Sequence, residues 1–223
     1  MSVLPCVETE TGACPTHSIL WLHGLGADGN DFAPIVPELV APEWPALRFV
    51  FPHAPTRPVT VNGGMAMRAW YDIKGMDLAD KQDAQGVNAS VTQIEVLLAR
   101  EIERGVPAER IVLAGFSQGG AIALSAGLRH DQRLAGIVAL STYLPLHETL
   151  GAHLAEANRA TPIFWGHGQN DPVVPYAMGQ MSQQWLVGHG YSVEAHSYRM
   201  AHQVCAEEIA DLRSWLGARL QAA

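Results

Sequence analysis

Ser117 lies in Gly115-Phe-Ser-Gln-Gly119, between the aliphatic run Ile111-Val-Leu-Ala and the small apolar run Gly120-Ala-Ile-Ala-Leu. A strand that feeds a sharp turn and then a helix is the setting in which a G-x-S-x-G serine becomes a nucleophile. Glycines suit such a turn because neighbouring backbone comes too close for a Cβ. The pattern alone is weak: with 21 glycines in the chain, chance supplies it in about one such sequence in ten. A serine in an ordinary strand–helix turn is the competing account.

A nucleophilic serine needs a base, and the base needs an orienting acid. On an α/β-hydrolase sheet these follow in the order Ser, Asp or Glu, His. Asp171 stands in His167-Gly-Gln-Asn-Asp-Pro, after the strand-like run Thr161–Gly166. That is the carboxyl end of a parallel sheet, where catalytic loops gather. Asp-Pro also initiates turns, so that role stays open for it. Three histidines come later. His189 precedes the last strand, at the wrong end, and His196 lies inside it. His202 follows it by four residues, just ahead of the terminal helix. Position favours His202 as the base over a plain surface-loop histidine.

The first strand leads into His23-Gly-Leu-Gly-Ala-Asp-Gly29, a literal G-x-G-x-x-G. A dinucleotide site would want an acid at the end of the second strand and a helix opening at once. Here Phe51-Pro-His and Asp31-Phe-Ala-Pro34 stand instead. An oxyanion hole fits better, with the backbone N–H groups of Leu25 and Gln118 as donors. A metal-dependent hydrolase built on His23, His167, Asp171 and His202 lacks H-E-x-x-H or similar ligand spacing, and no metal is expected. A non-catalytic binding protein on the same fold would predict a broken triad.

The elements that must position these groups alternate along the whole chain. Strand candidates are Ser18–Leu22, Leu47–Phe51, Arg110–Gly115, Ala135–Leu140, Thr161–Gly166 and Tyr191–Tyr198, several of them continuously apolar. Continuous runs suit parallel strands buried on both faces. Ala84–Arg104 and Gln203–Arg219 carry apolar residues at helical spacing. The expectation is an α/β fold, with a mainly parallel central sheet and helices on both faces. A single domain over 1–223 suffices, with residues 1–16 as an N-terminal extension. The exception to the alternation is a Pro-, Gly- and Met-rich excursion over 52–83. Loops this long in compact domains are usually functional or disordered. Its Met65, Met67, Trp70 and Ile73 either line a substrate pocket or cover the core edge. The packing of Met65–Met76, Tyr143–Leu146 (notably Tyr143 and Leu144) and Val173–Val174 would set the pocket's length and width.

Composition excludes several classes. Hydrophobic residues make up 48% and charged residues 16% of 223, as in a well-buried globular protein. A net charge of −8 without a basic cluster disfavours nucleic acid. No apolar window is long enough to span a bilayer, and the first residues lack the character of a signal peptide. Cys6, Cys14 and Cys205 show no C-x-x-C spacing, which suits a reducing cytoplasm.

Beyond the motif, His23-Gly-Leu-Gly-Ala-Asp-Gly, Phe51-Pro-His-Ala-Pro-Thr-Arg-Pro-Val-Thr, Ala69-Trp-Tyr-Asp-Ile, Gly115-Phe-Ser-Gln-Gly-Gly, Leu140-Ser-Thr-Tyr-Leu-Pro-Leu, His167-Gly-Gln-Asn-Asp-Pro-Val-Val-Pro and Met200-Ala-His occur in order over nearly the whole chain. Together they resemble the carboxylesterase/acyl-protein thioesterase (lysophospholipase-type) family. The resemblance implies an α/β-hydrolase fold and hydrolysis of fatty-acyl esters or thioesters without a cofactor. It implies the triad Ser117, Asp171 and His202, with Leu25 and Gln118 as oxyanion donors. The substrates implied are short- to medium-chain acyl esters, with long-chain acyl proteins or lysophospholipids as the alternative. A homodimer is a further option it raises. Two departures stand out: Asp83-Ala replaces an acidic pair common in relatives, and Ser2 stands where some carry a lipidated cysteine. Stable membrane attachment is therefore not expected.

Overall fold

The computed structural model describes residues 3–75 and 82–220, and the apolar runs within them become strands. In chain order the elements are β1 (Cys6–Glu10), β2 (His17–Leu22), α1 (Val36–Leu39), β3 (Leu47–Pro52), β4 (Thr56–Val59), β5 (Met65–Arg68), α2 (Ala84–Glu103), β6 (Ile111–Phe116), α3 (Gln118–Gly127), β7 (Gly136–Leu140), α4 (His147–Leu150), β8 (Ile163–Gly168), α5 (Tyr176–Gly188), β9 (Val193–Tyr198) and α6 (Ala206–Leu220). Seven strands form one sheet in the order β1-β3-β2-β6-β7-β8-β9. All neighbours pair in parallel except β1, which runs antiparallel to β3.

The period of two along each strand divides the core. Ile19 and Trp21 of β2 face α1 and α6, among Leu39, Phe49, Leu212 and Trp215. Leu20 and Leu22 face α2 and α3, among Ile94, Leu98 and Ile122. Both faces are covered, so β2, β3, β7 and β8 are buried throughout. The outer strand β9 is mixed and half-exposed, as an edge strand should be. No helix of the described residues is long and apolar enough to cross a membrane.

Two segments depart from expectation. Residues 6–10, read as part of an extension, form the edge strand β1. Its polar side chains hide it from an apolar scan, and ion pairs explain why it docks. Glu8 meets Arg100 (2.9 Å) and Arg104 (3.0 Å), and Glu10 meets Arg48 (2.9 Å). These arginines converge on Glu101, which is fully buried and also accepts from Ser18 Oγ (2.8 Å). Burial alone would raise the Glu101 carboxyl, but the Ser18, Arg48 and Arg104 donors hold it below its usual range. Within the excursion, β4 and β5 pair as a hairpin, which the irregular composition did not reveal. Residues 76–81, including the pocket candidate Met76, lie outside the described residues.

The first turn of α6 holds a second buried acid, Glu208, against Gly166 of β8. Neither of its oxygens has a hydrogen-bond partner among the described residues. Burial, with the Asp211 charge adding to it, pushes its pKa up to about 8. Between about pH 4.5 and 8 the folded chain therefore binds one more proton than the unfolded chain. Stability falls as pH rises through that window, by on the order of 4 kcal/mol. Glu208→Gln removes this titration. Its thermal midpoint should exceed that of wild type by several degrees at pH 8.5 and match it at pH 5. Parallel midpoints at both pH values would contradict this account.

Candidate active site

At the end of β6 the chain turns sharply, and Ser117 adopts φ 53° and ψ −122°. Backbone of this kind costs about 1–3 kcal/mol and persists only where its surroundings impose it. Those surroundings are visible. The Ser117 N–H donates to the Leu140 carbonyl (2.8 Å), and Thr142 Oγ1 donates to the Ser117 carbonyl (2.7 Å). A Cβ at Gly115 would come 2.4 Å from the Gly119 carbonyl carbon, and one at Gly119 would come 2.3 Å from the Leu22 carbonyl oxygen. Only glycine allows the strand, the turn and the neighbouring β2 to approach this closely.

The loops after β8 and β9 reach the same end of the sheet. Asp171 is buried, and its Oδ1 accepts from the Val173 and Val174 amides (2.8 and 2.9 Å). Its Oδ2 lies 2.7 Å from His202 Nδ1, and His202 Nε2 lies 2.9 Å from Ser117 Oγ. The carboxylate assigns the proton to Nδ1, which leaves the Nε2 lone pair to accept from the serine hydroxyl. Phe116 supports the imidazole from below, with ring centroids 4.8 Å apart. The three predicted residues meet in hydrogen-bonded order. α6 begins at Ala206, three residues later than the sequence pattern suggests, so His202 sits in a loop.

The glycine loop after β2 packs on the elbow: a Cβ on Gly24 would lie 3.5 Å from Ser117 Cβ. Gly26 N–H is spent on the Arg68 carbonyl (2.8 Å) and Ala27 N–H on Gly24 (3.3 Å). The amides of Leu25 and Gln118 have no such partner among the described residues. Gln118 also heads α3, where an amide has no intrahelical acceptor.

The sequence profile of the phospholipase/carboxylesterase family matches residues 5–220. The chain belongs to that family. It is 40% identical over 218 residues to acyl-protein thioesterase 1 of Cryptococcus neoformans var. neoformans, covering 90% of this chain and 91% of that one. The crystal structure of Arabidopsis thaliana SOBER1 is similar at 32% identity, with a TM-score of 0.87 over 92% of this chain and 99% of that one. That of Zea mays acyl-protein thioesterase 2 is similar at 30% identity, with a TM-score of 0.82 over 96% and 99%. The α/β-hydrolase fold and the class of carboxylic-ester hydrolase follow.

Several further side chains brace the site of this esterase, two of them histidines whose sequence context allowed a metal-ligand reading. His23 is buried, with Nδ1 donating to the Gly24 carbonyl (2.7 Å) and Nε2 accepting from Ala54 N–H (3.0 Å). Burial holds its pKa below the usual value, so the neutral ring clamps the glycine loop. Both its nitrogens, like those of His202, are engaged within the protein, which is not the arrangement of metal ligands. His167 is also buried and held neutral, and its Nε2 donates to the Val174 carbonyl (3.0 Å), fixing the loop that holds Asp171. The Gln118 side chain accepts from Trp70 N–H and donates to the Tyr71 carbonyl, both at 2.8 Å. The excursion is thereby tied to the first turn of α3. Asp83 secures its far end by capping α2 and accepting from Asp72 N–H.

A cavity of about 450 Å³ is walled by Tyr143, Leu144, His147, Met178, Met181 and Trp185 among others; Tyr143 follows Thr142, whose hydroxyl holds the Ser117 carbonyl. Of the predicted pocket residues, Tyr143 and Leu144 stand in its wall. Four do not. Trp70 is fully buried, and its indole N–H donates to the His23 carbonyl (2.9 Å), so it braces the glycine loop. Ile73 packs against the core. Met65 and Val173 are 64% and 55% exposed, pointing outward where a substrate chain would gain little burial. Met67 lies near Gly26, its Sδ 3.8 Å from where a Cβ there would stand. The wall residues missed come from α5, whose Met178, Met181, Ser182 and Trp185 recur at helical spacing; that period was the available signal.

Proposed function

We propose that Ser117 carries out ester hydrolysis through an acyl-enzyme, with His202 as general base and acid and Asp171 as its orienting partner. The relay of 2.7 and 2.9 Å from Asp171 through His202 to Ser117 is the observation that carries this assignment. Attack of Oγ on the acyl carbonyl passes its proton to Nε2. The developing oxyanion is bound by the Leu25 and Gln118 amides, each such donor being worth about 2.7–4 kcal/mol of barrier. Collapse expels the alcohol or thiol, which takes the proton from His202. Water then repeats the sequence and releases the acid. Residues 1–223 act as one catalytic domain, and no cofactor enters these steps.

The substrate is the ester of a short- to medium-chain acid. Its acyl chain runs toward the cavity of about 450 Å³, a size typical of small-ligand pockets. Tyr143 supports this route, because the preceding Thr142 holds the Ser117 carbonyl. The Tyr71 and Tyr143 hydroxyls meet at 2.8 Å and tie the excursion to this wall. The relatives named acyl-protein thioesterase support acylated proteins as a second class of substrate, for which we place the preference at long acyl chains. A series of esters and thioesters from two to sixteen carbons separates the two. The expected kcat/KM rises to a maximum at medium length; a maximum at sixteen carbons favours the second, and a flat profile overturns both. Met178→Trp fills part of the cavity. If it displaces three methylenes, at about 0.8 kcal/mol each, octanoyl turnover falls roughly fiftyfold relative to acetyl.

Cys6, Cys14 and Cys205 are all free thiols, which supports a reducing compartment such as the cytoplasm. Exposed Met181 and Val187 support a homodimer packed along α5.

A further inference from the structure

The tetrahedral carbon on Ser117 separates the two halves of the substrate. Its oxyanion points to the Leu25 and Gln118 amides, and its leaving oxygen or sulfur must come within hydrogen-bond reach of His202 Nε2 to receive the proton. Whatever is attached to that leaving atom therefore extends past the imidazole.

A groove of about 390 Å³ begins there, with His202 and Phe116 in its wall. It is separate from the acyl cavity and shares no lining residue with it. Its floor is rigid: ring centroids step from His202 to Phe116 (4.8 Å), to Phe32 (5.5 Å) and to the buried Trp21 (5.2 Å). Ile35 and Val204 add apolar surface. The exposed Asp31 and Glu38 are its charged side chains, and among the described residues neither lysine nor arginine lines it. Asp31 is shared with a neighbouring depression that Arg68 and Asp28 also line, and there Arg68 Nη1 is committed to the Ala54 carbonyl (2.9 Å).

We infer that this groove is the leaving-group subsite, and that it takes an alcohol or thiol with an apolar stretch and a neutral or cationic outer end. The assignment rests on the acyl-enzyme chemistry proposed above and adds the class of leaving group to it. Ser117 Oγ bonds to the acyl carbon, the carbon–oxygen or carbon–sulfur bond breaks, and the Oγ proton leaves on the expelled group. The groove holds that group in line with His202 until the proton has moved. An anionic alcohol would meet two carboxylates there, with one more in the adjoining depression against the single Arg68, in a chain of net charge −8.

Three butyrate esters test the subsite: methyl, 3,3-dimethylbutyl and choline, the last two differing in a central carbon or nitrogen. Wild type should cleave 3,3-dimethylbutyl butyrate at least tenfold better than the methyl ester by kcat/KM. Ile35→Trp, which fills the groove, should collapse that ratio, and a general loss of activity cancels in it. Asp31→Asn/Glu38→Gln should lower the choline to 3,3-dimethylbutyl ratio about fivefold, the scale of exposed charge pairs. The inductive pull of the ammonium is common to both enzymes and drops out. Ratios unchanged in both variants would overturn the subsite, as would an Ile35→Trp effect confined to acyl-chain length. Loss of Ser117-dependent cleavage of every ester would instead overturn the acyl-enzyme assignment beneath it.

Discussion

Ser117→Ala lowers kcat on p-nitrophenyl butyrate by about 10⁵- to 10⁶-fold, with little change in fold. On the proposed mechanism its hydroxyl is the nucleophile, and it lies 2.9 Å from His202 Nε2 at the tip of the elbow that ends β6. Alanine keeps a Cβ, so the φ of 53° is no harder to adopt than for serine. The Leu25 and Gln118 amides are backbone and remain, so the proposed oxyanion hole should leave a residual rate over water. The measurement is a burst-corrected rate together with labelling by a fluorophosphonate, which should vanish in the variant. Turnover within tenfold of wild type, or persistent labelling, would remove Ser117 from the chemistry.

Asp171→Asn should cost about 10⁴-fold in kcat while leaving the serine in place. The reason lies in which oxygen does what. Asp171 Oδ1 accepts from two amides, Val173 and Val174, at 2.8 and 2.9 Å. An asparagine keeps its carbonyl oxygen there, because its NH2 cannot accept those bonds. The NH2 then faces His202 Nδ1, where the carboxylate had accepted a proton at 2.7 Å. A donor at that position drives the imidazole proton to Nε2, so the ring donates toward Ser117 and no longer accepts from it. The signature is a fall in kcat with KM nearly unchanged and a folded protein by circular dichroism. A loss of tenfold or less would mean that the tautomer does not limit the rate.

Legibility in the sequence followed range and periodicity. The runs Ile111-Val-Leu-Ala and Ile137-Val-Ala-Leu read as buried strands, and glycines 115 and 119 pointed to the elbow, because these depend on neighbours within a few residues. Strand β1 was missed because its alternation is polar, and arginines some 40 to 95 positions away hold it in place. Trp70 looked like pocket lining for the same reason. An aromatic in an irregular segment carries no sign of whether it will meet substrate or, as here, the His23 carbonyl. In the sequence His23 reads only as a possible metal ligand and Gln118 only as a backbone donor, since the work of their side chains is to join the glycine loop, the excursion and α3, elements that come together only in the fold.

The chain by itself determined the fold class, the family and the order Ser117, Asp171, His202, since order along a parallel sheet dictates which loops share an end. Tertiary structure alone decided what surrounds them. Chains that meet across the sheet create one cavity under α5 and one groove between α1 and α6, from side chains far apart in sequence. Catalytic chemistry is written locally and in order, whereas a pocket is the space left between elements after they pack.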